Sequence, residues 1–170
     1  ILASIDIKMR DASWLKRKNY DIWLAQGRRI ARKVLSRTPL TPLDRLTYAL
    51  GWILLYRPLR HHFGLSRVKL AGSGAAPIAP TVLEFFWAIG VKICEGYGMT
   101  ENTAIATFTA PDDVRIGKVG RPYAGSEIRI ADDGEILTRG PGTFAGYFKN
   151  EAATREAIDA EGWLHTGDVG

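Results

Sequence analysis

Apolar residues recur at helical spacing through the first third of the chain. Between residues 11 and 37 they lie three or four positions apart, with arginine and lysine between them, which predicts an amphipathic helix. A second helix is predicted to begin after Thr41, a favourable N-cap, with Pro42 at its first position, and to stop near Pro58. We expect its aliphatic side chains to face inward: Leu43, Leu46, Leu50, Ile53 and Leu54.

The pattern changes to two strands around one helix between residues 67 and 94. Residues 68–71 and 91–94 have the composition of strands, and residues 80–89 that of a helix, with Gly90 as its C-cap. The right-handed crossover of a βαβ unit makes its two strands parallel. Loops 72–77 and 95–101 are therefore expected at the same carboxyl-terminal edge of the sheet, where open α/β sheets bind ligands.

Short strands and turns dominate after residue 113. Residues 127–130 and 135–138 are predicted to form a hairpin, and residues 151–158 a short helix capped by Asn150. Residues 162–168 are interpreted as a final loop. The predicted fold class is α/β, in three segments: a basic helical segment (1–62), a βαβ part of an α/β subdomain with candidate ligand loops (63–112), and a β-rich subdomain (113–170).

Charge changes sign at the first of these boundaries. Residues 1–62 hold 13 Lys and Arg against 4 Asp and Glu, whereas residues 63–170 hold 10 against 14, giving a net charge of +5. The basic helical face has three interpretations: an ordinary solvated face, contact with an anionic membrane surface, or nucleic-acid binding. No zinc spacing, aromatic RNA-binding motif or basic zipper supports the last, so we expect no nucleic-acid partner.

Composition indicates how large a core the chain can bury and in which compartment the protein is expected. With 170 residues, 46% of them hydrophobic, the chain can bury a sizeable core. Its longest apolar run, residues 49–56, is far shorter than the roughly 20 residues that span a membrane. The single cysteine, Cys94, suits a reducing compartment, so we expect a cytoplasmic location, with peripheral membrane contact left open. The start at Ile1, without a secretion signal, indicates an internal segment of a longer protein.

Residues 95–101 combine groups that suit a nucleoside triphosphate. Their glycines let the backbone approach a ligand closely, and Tyr97 offers an aromatic face to a purine. Thr100 supplies a hydroxyl for a phosphate oxygen, and Glu101 a carboxylate of the kind that holds Mg²⁺. An ordinary strand-to-helix connection with the same composition is the alternative interpretation.

Two further loops contain candidate ligand groups. The small residues at 72–77 leave a flat wall against which a base or an acyl chain could lie. Asp168 can accept hydrogen bonds from both hydroxyls of a ribose. His165 is a candidate general base, although bracing of its loop is the commoner role for such a histidine.

Three ordered motifs resemble those of the adenylate-forming superfamily. They are Gly-Ser-Gly-Ala-Ala-Pro at 72–77, Glu-Gly-Tyr-Gly-Met-Thr-Glu at 95–101 and Gly-Trp-Leu-His-Thr-Gly-Asp at 162–168. The resemblance is nearest to long-chain fatty acyl-CoA synthetases and runs from about Leu65 to the end. It also includes the intervening text at 119–122, 133–136, 139–141 and 146–147. The chain would then be an internal fragment of the large N-terminal domain of such an enzyme.

The resemblance implies a role for each matching residue. Thr100 would contact phosphate and, with Glu101 as the Mg²⁺ ligand, would form the catalytic pair. The nucleotide-binding set would be Gly74, Ala75, Ala76, Glu95, Gly96, Tyr97, Gly98, Thr100 and Asp168. Three positions depart from the usual family text without removing a ligand: Asn102, Asn150 and Glu161.

The implied reaction activates a fatty acid with ATP to an acyl-adenylate and transfers the acyl group to coenzyme A. Fatty acid, ATP and coenzyme A are the expected substrates, and Mg²⁺ the expected cofactor. The family's phosphate loop and its catalytic lysine domain are not among these residues, so we expect the isolated segment to be inactive. The alternatives are another adenylate-forming ligase, such as an aryl-CoA ligase or a peptide-synthetase adenylation domain, and a non-catalytic helical lipid-surface module.

Overall fold

The computed structural model describes residues 5, 7, 9 and 11–170. These residues form two compact units. The first comprises the described residues up to Gly72, together with Ile78–Cys94 and Arg115–Gly117. The second comprises Ser73–Pro77, Glu95–Val114 and Lys118–Gly170.

Helix α1 (Trp14–Leu35) is the longest element of the first unit and confirms the predicted amphipathic helix. Its buried face is formed by Tyr20, Leu24, Ile30, Ala31 and Leu35. The helix ends at Leu35, and Arg37 then takes a left-handed conformation with φ 58°. A helix later in the chain, α4 (Pro80–Ala88), packs along α1 and buries Leu83, Phe85 and Trp87. The core of the first unit therefore lies between these helices.

Helix α2 (Pro42–Gly51) begins as predicted, with Thr41 as its N-cap in a reciprocal capping box with Asp44. The predicted stop near Pro58 is wrong, because a π-helical turn (Trp52–Tyr56) leads directly into helix α3 (Arg57–His62). Pro58 falls in the first turn of α3. A proline lacks an N–H and crowds the carbonyl four residues earlier, and a widened preceding turn relieves both problems.

The predicted inward face of this helical stretch is also wrong, because the aliphatic side chains of α2 and of the π-helical turn after it are exposed. Their exposed fractions range from 44% to 68%: Leu43, Leu46, Leu50, Ile53 and Leu54. Asp44 is buried instead, at 1% exposure, and it pairs with Arg29 and Lys33 of α1. Because the capping box and these ion pairs fix the rotation of α2, its polar first turn faces α1 and its leucines face away.

The first sheet contains four strands in the order β1-β2-β3-β4: Ala71–Ser73, Ile93–Tyr97, Thr107–Phe108 and Arg121–Pro122. Strands β2 and β3 are antiparallel, with Tyr97 opposite Thr107, and β3 and β4 are antiparallel as well. Two predicted boundaries are wrong, since β1 begins at residue 71 and β2 extends to residue 97. Pairing of Gly96 with Phe108 and of Tyr97 with Thr107 extends β2, and the pattern of residues 91–97 alone does not show this pairing.

The second sheet lies wholly in the second unit. Its antiparallel order is β5 (Glu127–Ile130), β6 (Glu135–Arg139) and β7 (Leu164–Val169). The hairpin of β5 and β6 confirms the prediction, as does helix α5 (Glu151–Ala157), where Asn150 accepts a hydrogen bond from the backbone of Ala153. The final segment is a strand rather than the predicted loop, because residues 164–169 pair with β6.

None of the helices in the described part of the chain has both the length and the apolar character that crossing a membrane requires. Cys94 is buried in β2.

Candidate functional site

Tyr97 and Asp168 bring two of the sequence motifs together in the second unit. Tyr97 ends β2 and Asp168 lies in β7, and the phenol of Tyr97 donates a hydrogen bond to Oδ2 of Asp168 at 2.7 Å. Burial of the phenol raises the pKa of Tyr97 to about 12, and the neighbouring carboxylate of Asp168 contributes to the increase. Tyr97 therefore remains a protonated donor at neutral pH.

A second carboxylate, that of Glu135, anchors the segment that carries Asp168. Its Oε1 accepts a hydrogen bond from the backbone N–H of Gly167 at 2.8 Å, and its Oε2 lies 2.8 Å from Nδ1 of His165. Glu135 begins β6, the strand that pairs with β7. The position of Asp168 thus depends on side-chain contacts as well as on strand pairing.

Thr166 adds a local brace next to Asp168. Its hydroxyl donates to the carbonyl of Ile136 at 2.7 Å and accepts from the backbone N–H of Asp168 at 3.2 Å. The carboxylate of Asp168 is exposed, so it is accessible to a ligand hydroxyl.

The predicted nucleotide residues at 95–97 belong to strand β2. Glu95 is buried, and its N–H donates to Oγ1 of Thr109 at 2.7 Å, while that hydroxyl donates back to the carbonyl of Glu95 at 3.1 Å. The side chain of Tyr97 reaches another motif, at Asp168. A strand positions the ring more rigidly than a free loop would.

The small-residue loop approaches the same strand. A methyl group built on Gly74 would lie 3.3 Å from the carbonyl oxygen of Gly96, which shows how closely the two backbones approach. Residues 74–76 are exposed, and Ala75 has a left-handed φ of 66°. The loop therefore presents small residues to solvent beside the end of β2.

Gly98 has a structural reason to be glycine. A Cβ at this position would lie 2.3 Å from the carbonyl carbon of Ala104, inside van der Waals contact. The chain turns back on itself here, and Thr103 and Ala104 both have positive φ. Packing of the backbone explains Gly98 without a ligand, whereas its predicted role beside the nucleotide stays a prediction.

Thr100 and Glu101 lie in a short 3₁₀ turn (Thr100–Asn102). Thr100 is exposed, and Oε1 of Glu101 accepts a hydrogen bond from the phenol of Tyr147 at 2.9 Å. This hydrogen bond raises the pKa of Tyr147. The carbonyl of Glu101 also accepts from the N–H of Phe144 at 2.8 Å, so the segment around residues 144–147 holds Glu101 in place.

The chemistry of Glu101 fits a magnesium ligand. It offers a hard carboxylate oxygen on a short, anchored turn. Over the residues that the structure describes, no three His, Cys, Asp or Glu side chains cluster as a metal site. Mg²⁺ commonly takes one or two protein carboxylates and obtains its other ligands from water and substrate phosphates, which is compatible with Glu101 as a protein ligand.

Two residues near the predicted set had no role assigned from the sequence. Tyr147 holds Glu101, and Glu135 holds the segment of Asp168. Both fall within text that already resembled the superfamily, at 146–147 and 133–136. Their partners are 46 and 32 residues away in the chain, so no local spacing rule could have paired them.

Comparison with known proteins assigns the family. Residues 20–148 match the family model of AMP-binding enzymes, which is more than half of the chain. The chain belongs to the AMP-binding enzyme family. The match includes the residues from Gly74 to Glu101, whereas Asp168 lies beyond it. The superfamily expected from the sequence motifs is thereby confirmed.

Individual AMP-binding enzymes show what the chain is similar to. It is 48% identical over 116 residues to the putative fatty-acid–CoA ligase fadD11 of Mycobacterium tuberculosis, a match that covers 68% of this chain and 20% of that protein. It is 46% identical over 115 residues to human long-chain-fatty-acid–CoA ligase 6, covering 61% and 16%. The chain thus spans about a fifth or less of the length of these relatives.

A solved structure of the family has the same architecture. The crystal structure of the anthranilate-CoA ligase AuaEII in complex with anthranoyl-AMP superposes with a TM-score of 0.56 and 31% identity, covering 61% of this chain and 22% of that chain. The predicted α/β fold class, a fragment of an adenylate-forming enzyme, is therefore confirmed.

Proposed function

We propose that this chain forms part of the ATP and acyl site of a long-chain fatty acid–CoA ligase. The reaction joins a fatty acid carboxylate to the α-phosphate of ATP with loss of pyrophosphate, and then transfers the acyl group to the thiol of coenzyme A with release of AMP. Named relatives that are 46–48% identical are fatty-acid–CoA ligases, which supports this substrate class. The observation that carries the proposal is the 2.7 Å hydrogen bond between Tyr97 and Asp168, because it joins two motifs expected around one adenosine.

Each proposed contact follows from the chemistry of its side chain. Tyr97 would place its ring against adenine, and Asp168 would accept hydrogen bonds from the ribose hydroxyls. Gly74, Ala75 and Ala76, which are exposed beside the end of β2, would form the wall along the base and the acyl group. Glu95, Gly96 and Gly98 would flank the adenine through backbone and packing contacts.

Thr100 and Glu101 would act at the phosphates. The exposed hydroxyl of Thr100 would donate to a phosphate oxygen, and Glu101, fixed by Tyr147, would hold Mg²⁺. When bound, Mg²⁺ supplies neutralisation of the phosphate charge. The protein's contribution is positioning and fixed charge, without a covalent intermediate on a side chain.

The role of His165 is best described as bracing. Its Nδ1 lies 2.8 Å from Glu135, which also holds the backbone of Gly167, so the imidazole and Asp168 share one support. This arrangement favours a positioning role over the alternative of a general base.

Pyrophosphate release tests the proposal in the ligase that carries this chain together with a phosphate loop and a lysine domain. MgATP and a panel of short, medium and long fatty acids should release pyrophosphate. Glu101→Gln should abolish the Mg²⁺-dependent turnover while leaving the melting temperature unchanged. Turnover of aryl acids without fatty acids would favour the related aryl-CoA ligases, and no turnover with any acid would contradict the proposal.

We further propose that the start of α1 makes peripheral contact with an anionic membrane. Trp14 and Leu15 are about two-thirds exposed and precede the exposed cations Lys16, Arg17 and Lys18. An exposed aromatic and aliphatic pair beside cations suits the membrane interface. The basic residues farther along α1 are less available, because Arg29 and Lys33 pair with Asp44 and Arg32 pairs with Glu84.

Vesicle sedimentation distinguishes this contact from a solvated face. Vesicles containing phosphatidylserine should retain the protein at low salt and release it as salt rises, whereas neutral vesicles should not retain it. Substitution of Lys16, Arg17 and Lys18 by glutamine should abolish retention. Equal retention of this variant and of the unmodified protein would overturn the proposal.

A further inference from the structure

A small cavity lies beneath the turn that carries Thr100 and Glu101. Its volume is about 10 Å³, and its lining includes Asn102 of this turn, Thr138 of β6 and the backbone of Gly142. All of these residues belong to the second unit. The cavity matters because two of its lining residues carry a buried polar atom that has no hydrogen-bond partner among the described residues.

Asn102 contributes a donor that has no acceptor among the described residues. Its Oδ1 accepts a hydrogen bond from the N–H of Met99 at 2.8 Å, which fixes the orientation of the amide. Its Nδ2 is buried and has no hydrogen-bond partner among the described residues. A buried amide N–H without an acceptor is costly, and such groups in folded proteins are nearly always satisfied by protein or by water.

Thr138 also lines the cavity and carries a buried hydroxyl. The residue is buried in β6, where it pairs with Ile128 on one side and Leu164 on the other. Its Oγ1 is also without a hydrogen-bond partner within the described part of the chain. A hydroxyl can both donate and accept, so it can complete the hydrogen bonds of a molecule that accepts from Asn102.

We infer that one internal water molecule occupies this cavity and bridges Nδ2 of Asn102 to Oγ1 of Thr138. A volume of about 10 Å³ is at the size of one water probe and leaves no room for a second molecule. The water accepts from the amide of Asn102 and exchanges a hydrogen bond with the hydroxyl of Thr138. Buried waters of this kind satisfy polar groups that the protein itself leaves unpaired.

The bridge connects the turn of Glu101 to the strand that supports Asp168. Asn102 ends the turn, Thr138 lies in β6, and β6 pairs with β7. The water would thereby tie the turn that carries Glu101 to this sheet. Any effect of this bridge on nucleotide binding rests on the proposed function, whereas the water site itself does not.

Two substitutions at Thr138 test the bridge by thermal unfolding. Thr138→Val removes the hydroxyl at nearly constant volume, and valine is at least as good a strand former as threonine. If no water bridges Thr138, the strand should therefore tolerate valine. If the water is present, loss of the bridge should lower the melting temperature of the chain by about 3 °C. Thr138→Ser keeps the hydroxyl and should retain the bridge. A melting temperature of Thr138→Val equal to or above that of the unmodified chain would overturn the inference.

A double-mutant cycle and a high-resolution crystal structure complete the test. The losses from Asn102→Ala and Thr138→Val should be less than additive, because each removes the same bridge. The electron density should show one peak within hydrogen-bonding distance of both Nδ2 and Oγ1. Additive losses, or an Asn102 amide bonded directly to protein with no peak in the cavity, would overturn the inference. Neither readout depends on enzymatic activity, so failure of the proposed function would leave the result intact.

Discussion

The phenolic oxygen of Tyr97 lies 2.7 Å from the carboxylate of Asp168, although 71 residues separate them in the chain. This contact joins the end of β2 to β7. It also makes the tyrosine a donor to the same carboxylate that would hold a ribose. Nucleotide binding and the ionisation of Tyr97 should therefore be coupled.

The ionisation of Tyr97 provides the first prediction. Its pKa is raised from the ordinary 10.0 to about 12, so its contribution to stability is complete below pH 10 and is lost as the pH rises towards 12. A difference titration of the phenolate absorbance between the unmodified chain and Tyr97→Phe should show one group ionising near pH 12.

Asp168→Asn is the matched variant for this titration. It keeps an oxygen acceptor but removes the charge, so the pKa of Tyr97 should fall towards its ordinary value while remaining raised by burial. A titration unchanged by Asp168→Asn would show that the carboxylate does not contribute.

The buried carboxylate of Asp44 should control the acid stability of the first unit. Hydrogen bonds from Lys33 and from Thr41 hold the pKa of Asp44 far below its usual 3.8. The stability that Asp44 contributes is therefore present above about pH 4 and is lost as the pH falls below that value. Asp44→Asn should lower the melting temperature at pH 7 by about 5 °C and flatten its acid dependence.

Asp21→Asn is the control for this prediction, since Asp21 lies exposed on α1. At each pH between 3 and 7, the melting temperature of Asp21→Asn should equal that of the unmodified chain. If Asp44→Asn and Asp21→Asn had equal effects, the ion pairs with Arg29 and Lys33 would not stabilise the helix pair.

Tyr147 should matter for catalysis through Glu101. Tyr147→Phe removes the hydrogen bond to Oε1 of Glu101, so in the active ligase we expect the KM for MgATP to rise about tenfold with a smaller change in kcat. Tyr123→Phe, at an exposed tyrosine of the same unit, is the control and should leave both constants unchanged. Equal kinetics for the two variants would contradict the anchoring role of Tyr147.

Glu135 should protect one specific amide from exchange. The N–H of Gly167 donates to Oε1 of Glu135, so Glu135→Ala should accelerate hydrogen exchange at Gly167, measured by NMR, about tenfold or more. Glu127→Ala removes an exposed carboxylate that pairs with Arg139 on the same sheet and should leave the Gly167 amide protected. Acceleration of this amide by both variants would indicate general loosening of the sheet.

Local sequence rules worked where the determining contacts are themselves local. The capping box of Thr41 and Asp44, the hairpin of β5 and β6, and the cap at Asn150 all depend on residues within a few positions of each other. The superfamily could also be recognised from the sequence, because three motifs match it in the same order. These features required no knowledge of tertiary packing.

The rest depended on partners distant in sequence. Periodicity identified an apolar face on α2 but not the direction it faces, because the ion pairs of Asp44 with Arg29 and Lys33 turn the helix. Residues 164–169 have the composition of a glycine-containing loop, and only their pairing with β6 makes them a strand. Likewise, no spacing rule places Tyr147 beside Glu101. The candidate ligands could be named from motifs, whereas their supporting residues required coordinates.

The exposed aliphatic side chains of α2 and of the π-helical turn after it have a practical consequence for handling the chain. An apolar strip exposed to solvent is formed by Leu43, Leu46, Leu50, Ile53 and Leu54. Salting-out agents strengthen the attraction between exposed apolar surfaces. This chain should therefore precipitate at an unusually low concentration of ammonium sulfate. Glutamate at Leu46 and Ile53 would raise its solubility without disturbing the buried carboxylate on the opposite side of the helix.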